Sequence, residues 1–322
     1  MSRYILKRLL MMIPVVIGVI VLVFTIMYLT PGDPAEIMLG ESATPEQLAA
    51  KRAELGTDQP YLIQLGNYIK KLVLHGDLGT SYTTGQSVTS EIVSKFPTTL
   101  KLALMSVTVA VLIGVTAGIV SATKQYSIFD HVARVIALFG VSMPSFWLGL
   151  MSIIVFAVNL KWFPSSGFST PLHWVLPSLT LGFASAGTIM RMTRSSMLEV
   201  IRQDYIRTAR SKGQTEWVVI TKHALKNALI PIITVAGLQF GGLLGGSVLT
   251  ETIFSIPGIG TLMVGAIKQR NGPVVQGAVL FTAVVFSFIN LGVDILYSFV
   301  DPRIRSQYKS KPKAAKAGEI SE

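Results

Sequence analysis

Residues 9–32 read LLMMIPVVIGVIVLVFTIMYLTPG, 24 consecutive positions between Arg8 and Asp33 with no charged side chain. A helix rises 1.5 Å per residue, so a bilayer core of about 30 Å is crossed by about 20 mostly apolar residues. The stretch therefore reads as a membrane span. Arg3, Lys7 and Arg8 ahead of it could suggest a secretory leader. The run is too long for a leader's core, and it ends in Thr30-Pro31-Gly32-Asp33-Pro34 rather than at a small-residue cleavage site. It is expected to stay as an anchor.

Five further charge-free intervals follow. They contain 22 residues between Lys101 and Lys124, 26 between Arg134 and Lys161, and 29 between Lys161 and Arg191. Another 24 lie between Lys226 and Glu251, and 23 between Arg270 and Asp294. A soluble core can hide one such run, but hardly six in 322 residues. The pattern predicts an all-α integral membrane protein with six transmembrane helices, near 9–30, 102–122, 135–160, 174–190, 229–249 and 274–300. Composition agrees: 50% of residues are apolar and 14% charged, where soluble domains carry about 25%. Mean hydropathy is +0.56.

The net charge of +11 could belong to a nucleic-acid binder or to a membrane protein with its cations on one side, and the distribution decides. On the side of the N-terminus fall Arg3, Lys7, Arg8, two cations in 123–134, eight in 191–228 and six in 301–322, for nineteen in all; nine lie on the other side. Counting acids, one face carries +12, the other 0, and Asp294 lies within the membrane. The positive-inside rule then puts both termini in the cytoplasm. No folded basic module accompanies the cations, so no nucleic-acid partner is expected.

The chain divides into 1–30, the N-terminal end and first span, then an extracytoplasmic segment 31–97, a five-helix transmembrane domain 98–300, and a basic tail 301–322 with a disordered composition. In 31–97, Thr44-Pro45-Glu46-Gln47 has the form of a helix start, with Gly56 as its stop. Helical spacing runs from Gln59 to Leu74 and ends at His75-Gly76. In the cytoplasmic loop 191–228, Arg191 to Lys212 reads as one helix, Gly213 as its stop and Thr215 as the cap of a second. The loop's basic surface could simply satisfy topology, or dock on an acidic partner or lipid headgroups.

Helix breakers add detail. Pro144 falls inside the third predicted helix and frees a carbonyl, which points to packing on protein or the lining of a cavity. Gly114/Gly118 and the group Gly241, Gly242, Gly245 and Gly246 read as close helix contacts. Phe254-Ser255-Ile256-Pro257-Gly258-Ile259-Gly260 is apolar yet broken, as a re-entrant or interfacial segment would be. Asp294 is a candidate for proton coupling or for pairing with a loop arginine.

Catalytic signatures are missing. Cysteine is absent, and the sequence has no Gly-Lys-Ser/Thr phosphate loop and no hydrolase or zinc-protease motif. His75, His131, His173 and His223 are scattered over both faces. The chain is expected to bind no cofactor or metal and to be no enzyme.

Eight segments in order resemble the B-type permease subunit of bacterial peptide, nickel and glutathione ABC importers. They are Thr30–Pro34, His75–Tyr82, Met143–Gly149, Arg194–Glu199, Asp204–Gly213, His223–Ala228, Glu251–Gly258 and Asp301–Arg305. The resemblance covers essentially the whole chain and implies a type I importer permease fold in the bacterial cell membrane. It also implies partners: a homologous second permease, two cytoplasmic ATPase subunits holding ATP and Mg, and an extracytoplasmic binding protein that delivers substrate. In that family the loop 191–228 carries the "EAA" motif that relays ATPase closure. Its positions fall here on Arg207, Thr208 and Ala209, with Gly213 as the glycine and Leu225 downstream. Arg207 and Lys226 depart from the general pattern, standing where glutamate and proline are usual. The substrate reading is di- or oligopeptides, with nickel chelates, glutathione or another small solute as alternatives, and a non-transporting receptor or scaffold as a remote one.

Overall fold

A computed structural model describes residues 2–40 and 42–300; the basic tail 301–322 lies outside them. Among these residues the architecture is helical, with one isolated antiparallel bridge between Thr80 and Ser87. Helix α1 is Ser2–Leu29. Three short helices follow, α2 (Pro34–Leu39), α3 (Pro45–Leu55) and α4 (Tyr61–His75). Thr44 and Gln47 form a reciprocal capping box at the start of α3, and Gly56 ends it at φ +71°. Gly76 ends α4 in the same left-handed conformation. Both signals were legible in the sequence because caps and stops are local.

Helix α5 (Val88–Thr123) is longer than expected. Its start at Val88 lies inside the stretch 31–97 read as outside the membrane, because Glu91, Lys95 and Lys101 sit on a helix that continues beyond the apolar run. Helices α6 (Ile128–Ser142) and α7 (Ser145–Ser152) replace the single third helix of the prediction. Pro144 caps α7 instead of lying inside a helix, and α6 meets the helix of Ser145–Asn159 at a bend of 104°. A proline disfavours the helical region for the residue before it, and Met143 is accordingly extended at ψ 132°.

Helix α8 (Val175–Ile201) is the centre of the bundle. It runs parallel to α5 at close range, since a Cβ on Gly118 would lie 2.5 Å from Thr193 and one on Gly114 2.9 Å from Ile189. It runs antiparallel to α6, with Gly187 against Ala137 and Gly140 against Phe183. Among the described residues, four helices are long and apolar enough to cross a membrane by length and composition: α1, α5, the helix Glu216–Gly245 and α14. The bent pair makes a fifth. The predicted span 174–190 falls on α8, which is not among them. Its Ser178, Thr180, Gly182, Ser185 and Gly187 are buried against other parts of the bundle, so it can be less apolar.

The predicted cytoplasmic helix 191–212 is also broken. α8 ends at Ile201, and α9 (Asp204–Ser211) begins after Arg202 and Gln203. Beyond Gly213, α10 (Glu216–Val218) runs through a π-type turn, Val219–Leu225, into α11 (Lys226–Gly246). Then come α12 (Val248–Ile253), α13 (Ile259–Lys268) and α14 (Gly272–Val300). α11 packs antiparallel on α14, with Gly237 against Val293 and Gly241 against Phe286. α14 is antiparallel to α1 as well: Met27 touches the position of Gly272, and Arg8 pairs with Asp294 at the other end.

Candidate functional site

The loop 191–228 is built on an apolar base. Ile206 and Ala209 on α9 are buried in one cluster with Met197 of α8, Val219 and Ala224, and Leu225 packs against it half-buried. Arg207 and Thr208 lie on the opposite, exposed side of α9. Their contacts stay local: Arg207 sits 3.9 Å from the Asp204 carboxylate, and the Thr208 hydroxyl donates to the Asp204 carbonyl at 3.0 Å. Gly213 turns the chain at φ +74°, with no atom within 4 Å of a Cβ, so backbone conformation and not space calls for glycine here. Across this turn Arg210 Nε and Nη2 donate to Glu216 Oε1 and Oε2 at 2.7 and 3.3 Å. The five residues singled out by the resemblance thus share one element pair, with Ala209 and Leu225 holding it and Arg207 and Thr208 presented outward.

A buried carboxylate ties this region to the bundle. Asp130 is fully buried and accepts from Arg194 Nε and Nη2 at 2.9 and 3.0 Å, from the Tyr126 amide at 3.0 Å and from the Ser121 hydroxyl. The connection from α5 to α6 is thereby fixed to α8 just above α9. Sequence reading passed over this set, because its members lie 64 and more positions from Arg194.

At the opposite end of α5 a second buried carboxylate, Glu251, organises the apolar stretch 254–260. Its Oε1 accepts from the hydroxyls of Thr99 (2.7 Å) and Ser247 (3.0 Å), and its Oε2 from the amides of Gly260 (2.7 Å) and Thr261 (3.2 Å). Thr99 in turn accepts from the Ile259 amide at 2.8 Å. Burial pushes the Glu251 carboxyl up, and the four donors oppose that shift. Phe254 and Ile256 are buried against the bundle, and Gly167 donates its amide to the Phe254 carbonyl. The segment is therefore a helical hairpin, α12–α13, docked on α5 and α7. The glycines at 258 and 260, where a side chain would collide with Glu251, are the signal that could have located it.

Asn271 makes a comparable join between distant segments. It is buried, accepts from the Tyr82 amide, and donates to the hydroxyls of Ser81 and Thr83, fixing the 79–87 loop to the start of α14. Asp294 pairs with Arg8 at 2.9 Å, an arginine of α1 where a loop arginine was expected. Pro144 stands at the α6–α7 bend, far along the chain from both. Among the described residues no group of three or more His, Asp or Glu is placed to hold a metal.

Comparison with known proteins gives this arrangement its family. Residues 114–306 match the model of the binding-protein-dependent transport system inner membrane component, and residues 1–103 match the N-terminal model of such membrane components. The chain is 47% identical over 333 positions to a dipeptide transport system permease protein of Alkalihalophilus pseudofirmus, covering 95% of this chain and 100% of that one. It is 46% identical to a putative peptide transport system permease protein of Brucella abortus and 45% identical to a glutathione transport system permease protein of Salmonella choleraesuis, each over 95% of this chain and 99% of the other. In fold it resembles a chain of the MetNI methionine ABC transporter in an inward-facing conformation, with a TM-score of 0.56 at 20% identity over 66% of this chain and 97% of that one. The protein belongs to the inner membrane component family of binding-protein-dependent transport systems.

Proposed function

We propose that this chain is the permease subunit of a peptide-importing ABC system and forms half of the translocation pathway. The observation that carries the reading is end-to-end identity of 47% with a dipeptide permease, joined by peptide permeases at 46%. A homologous second permease would complete the pathway, two cytoplasmic ATPase subunits would supply ATP hydrolysis, and an extracytoplasmic binding protein would deliver the substrate. The α9–Gly213–α10 turn suits contact with the ATPase. It combines a buried anchor at Ala209 with exposed Arg207 and Thr208 and a turn braced by Arg210 and Glu216. A rigid element of this kind passes displacement on to α8 and α11, on which it rests.

Glutathione import is the second reading, favoured by the 45% identity with glutathione permeases. Uptake in a strain lacking this gene, complemented and challenged with dipeptides, longer peptides, glutathione and nickel, separates the readings. Competition by peptides supports the first, competition by glutathione alone supports the second, and no uptake defect in the deletion strain overturns both. Gly213→Pro tests the coupling role, since the variant should insert and assemble yet lose uptake. Normal uptake by that variant removes the loop from the mechanism.

A further inference from the structure

A cavity of about 790 Å³ opens at the end of the bundle that carries α9, between α6 and α8. Four arginines line it, Arg134 of α6, Arg191 and Arg194 of α8, and Arg202 just beyond α8. Arg134 and Arg194 both reach Asp130, which fixes their direction. Arg191 and Arg202 are exposed and make no ion pair or hydrogen bond among the described residues. Glu199 is the acid in the lining. Four cations against Asp130 and Glu199 leave a net +2 at this spot.

Two unneutralised guanidinium groups beside two oriented ones make a site for a multivalent oxyanion, because the guanidinium fork matches phosphate oxygens in pairs. The apolar part of the lining says what else the ligand carries. Leu138 lines the cavity and also belongs to an exposed apolar stripe of α6 with Val135 and Phe139. That stripe leads away from the arginines along the helix, into the part of the bundle with span-length apolar helices. A ligand with a phosphate at one end and hydrocarbon at the other meets both surfaces at once. A free anion meets only the first.

We propose that this cavity is a phosphate-binding site filled by the headgroup of an anionic phospholipid, whose acyl chain lies on the α6 stripe. Such a lipid would clamp α6 to the C-terminal end of α8, directly above the α9 turn. Basic pockets between membrane helices hold anionic headgroups in this manner, and each surface cation contributes about 1 kcal/mol.

The test uses the assembled transporter, purified from membranes and examined by native mass spectrometry with phosphatidylglycerol added back. The intact protein should retain one phosphatidylglycerol. The Arg191→Gln/Arg202→Gln double variant should bind it with an apparent Kd raised roughly 25-fold, the loss of two such cations. Lys222→Gln, an exposed cation elsewhere on the loop, serves as the control and should bind as the parent does. Equal retention by the double variant and the parent overturns the site. Retention of phosphatidylcholine as strongly as phosphatidylglycerol overturns the role of the phosphate charge. Displacement of phosphatidylglycerol by millimolar inorganic phosphate supports the anion site and overturns its assignment to a lipid. Since Arg191 and Arg202 are exposed, loss of folding is not expected, and the Arg191→Lys/Arg202→Lys variant provides a second check: it keeps the charge and should fall between parent and double variant.

Discussion

Glu251 shows how one carboxylate can hold a whole segment. Its two oxygens receive two hydroxyl and two amide donors, so it fixes the direction of the α12–α13 hairpin as well as its distance from α5. Removing it strands buried donors, and each buried unsatisfied group costs about 1–3 kcal/mol. Glu251→Ala should therefore lower the thermal midpoint of the assembled transporter more than Glu251→Gln, which keeps an acceptor for the two amides. Thr99→Val removes both the donor to Glu251 and the acceptor for Ile259, and should cost about 1–3 kcal/mol on its own. Because Thr99 and Glu251 act through the same bond, the Thr99→Val/Glu251→Ala double variant should lose less than the two single losses added together. Full additivity would show that the hydrogen bond between them contributes nothing. In the sequence Glu251 marks the end of a charge-free run and the start of one of the family-like segments, and neither says what it bonds. An acid at that boundary looks like any other water-facing acid until its partner, 152 positions earlier, is known.

At the scale of the helix, the sequence conveys where glycines cluster but not which face they occupy. Gly241 and Gly242 adjoin in one small-residue pattern, yet a Cβ on Gly241 would lie 3.0 Å from Phe286, and one on Gly242 would meet nothing within 4 Å. Gly242→Ala should be neutral or stabilise the protein by up to about 1 kcal/mol through helix propensity. Gly118→Ala forces α5 away from Thr193 and Met190 and should destabilise by about 1–3 kcal/mol, as overpacking of a close contact does. Thermal shift of the purified transporter compares the two. A Gly118→Ala variant as stable as Gly242→Ala would mean that α5 and α8 are not in close contact. The breaks after Ser142 and Ile201 were the harder part to foresee. A proline inside an apolar run reads equally as a kink or as a stop, and the 104° bend is chosen by where α7 finds packing, with Gly149 against Phe254. The stop at Ile201 has neither a glycine nor a proline to mark it.

For the molecule as a whole, the charge-free runs were enough to identify the membrane-spanning class, since solvation by lipid acts on every residue of a helix and leaves a long-range mark. Which runs stand together is a matter of packing, and α8 shows the limit: as the most enclosed helix, it is among the least conspicuous by hydropathy. The pairing of Arg8 with Asp294 brings the start of α1 beside the end of α14, so both ends of the described chain lie on one side of the bundle. The pair lies toward the ends of two span-length helices, where Arg8 can turn its charge to the interface once its partner is gone. Asp294→Asn should accordingly leave uptake near normal, and a large loss of uptake without loss of assembly would restore a proton-coupling role. The side itself can be assigned because the chain has no cysteine. By the alternation of the charge-free runs, nineteen of the 28 Lys and Arg fall on the side of residues 191–228, and the positive-inside rule predicts that this side is cytoplasmic. A single Gln203→Cys, between α8 and α9, should resist a membrane-impermeant maleimide in intact spheroplasts and react once they are permeabilised. Asn67→Cys, exposed on α4, should react in both. The reverse labelling pattern would put the α9 turn outside, where no ATPase could reach it, and would take the coupling role down with the orientation.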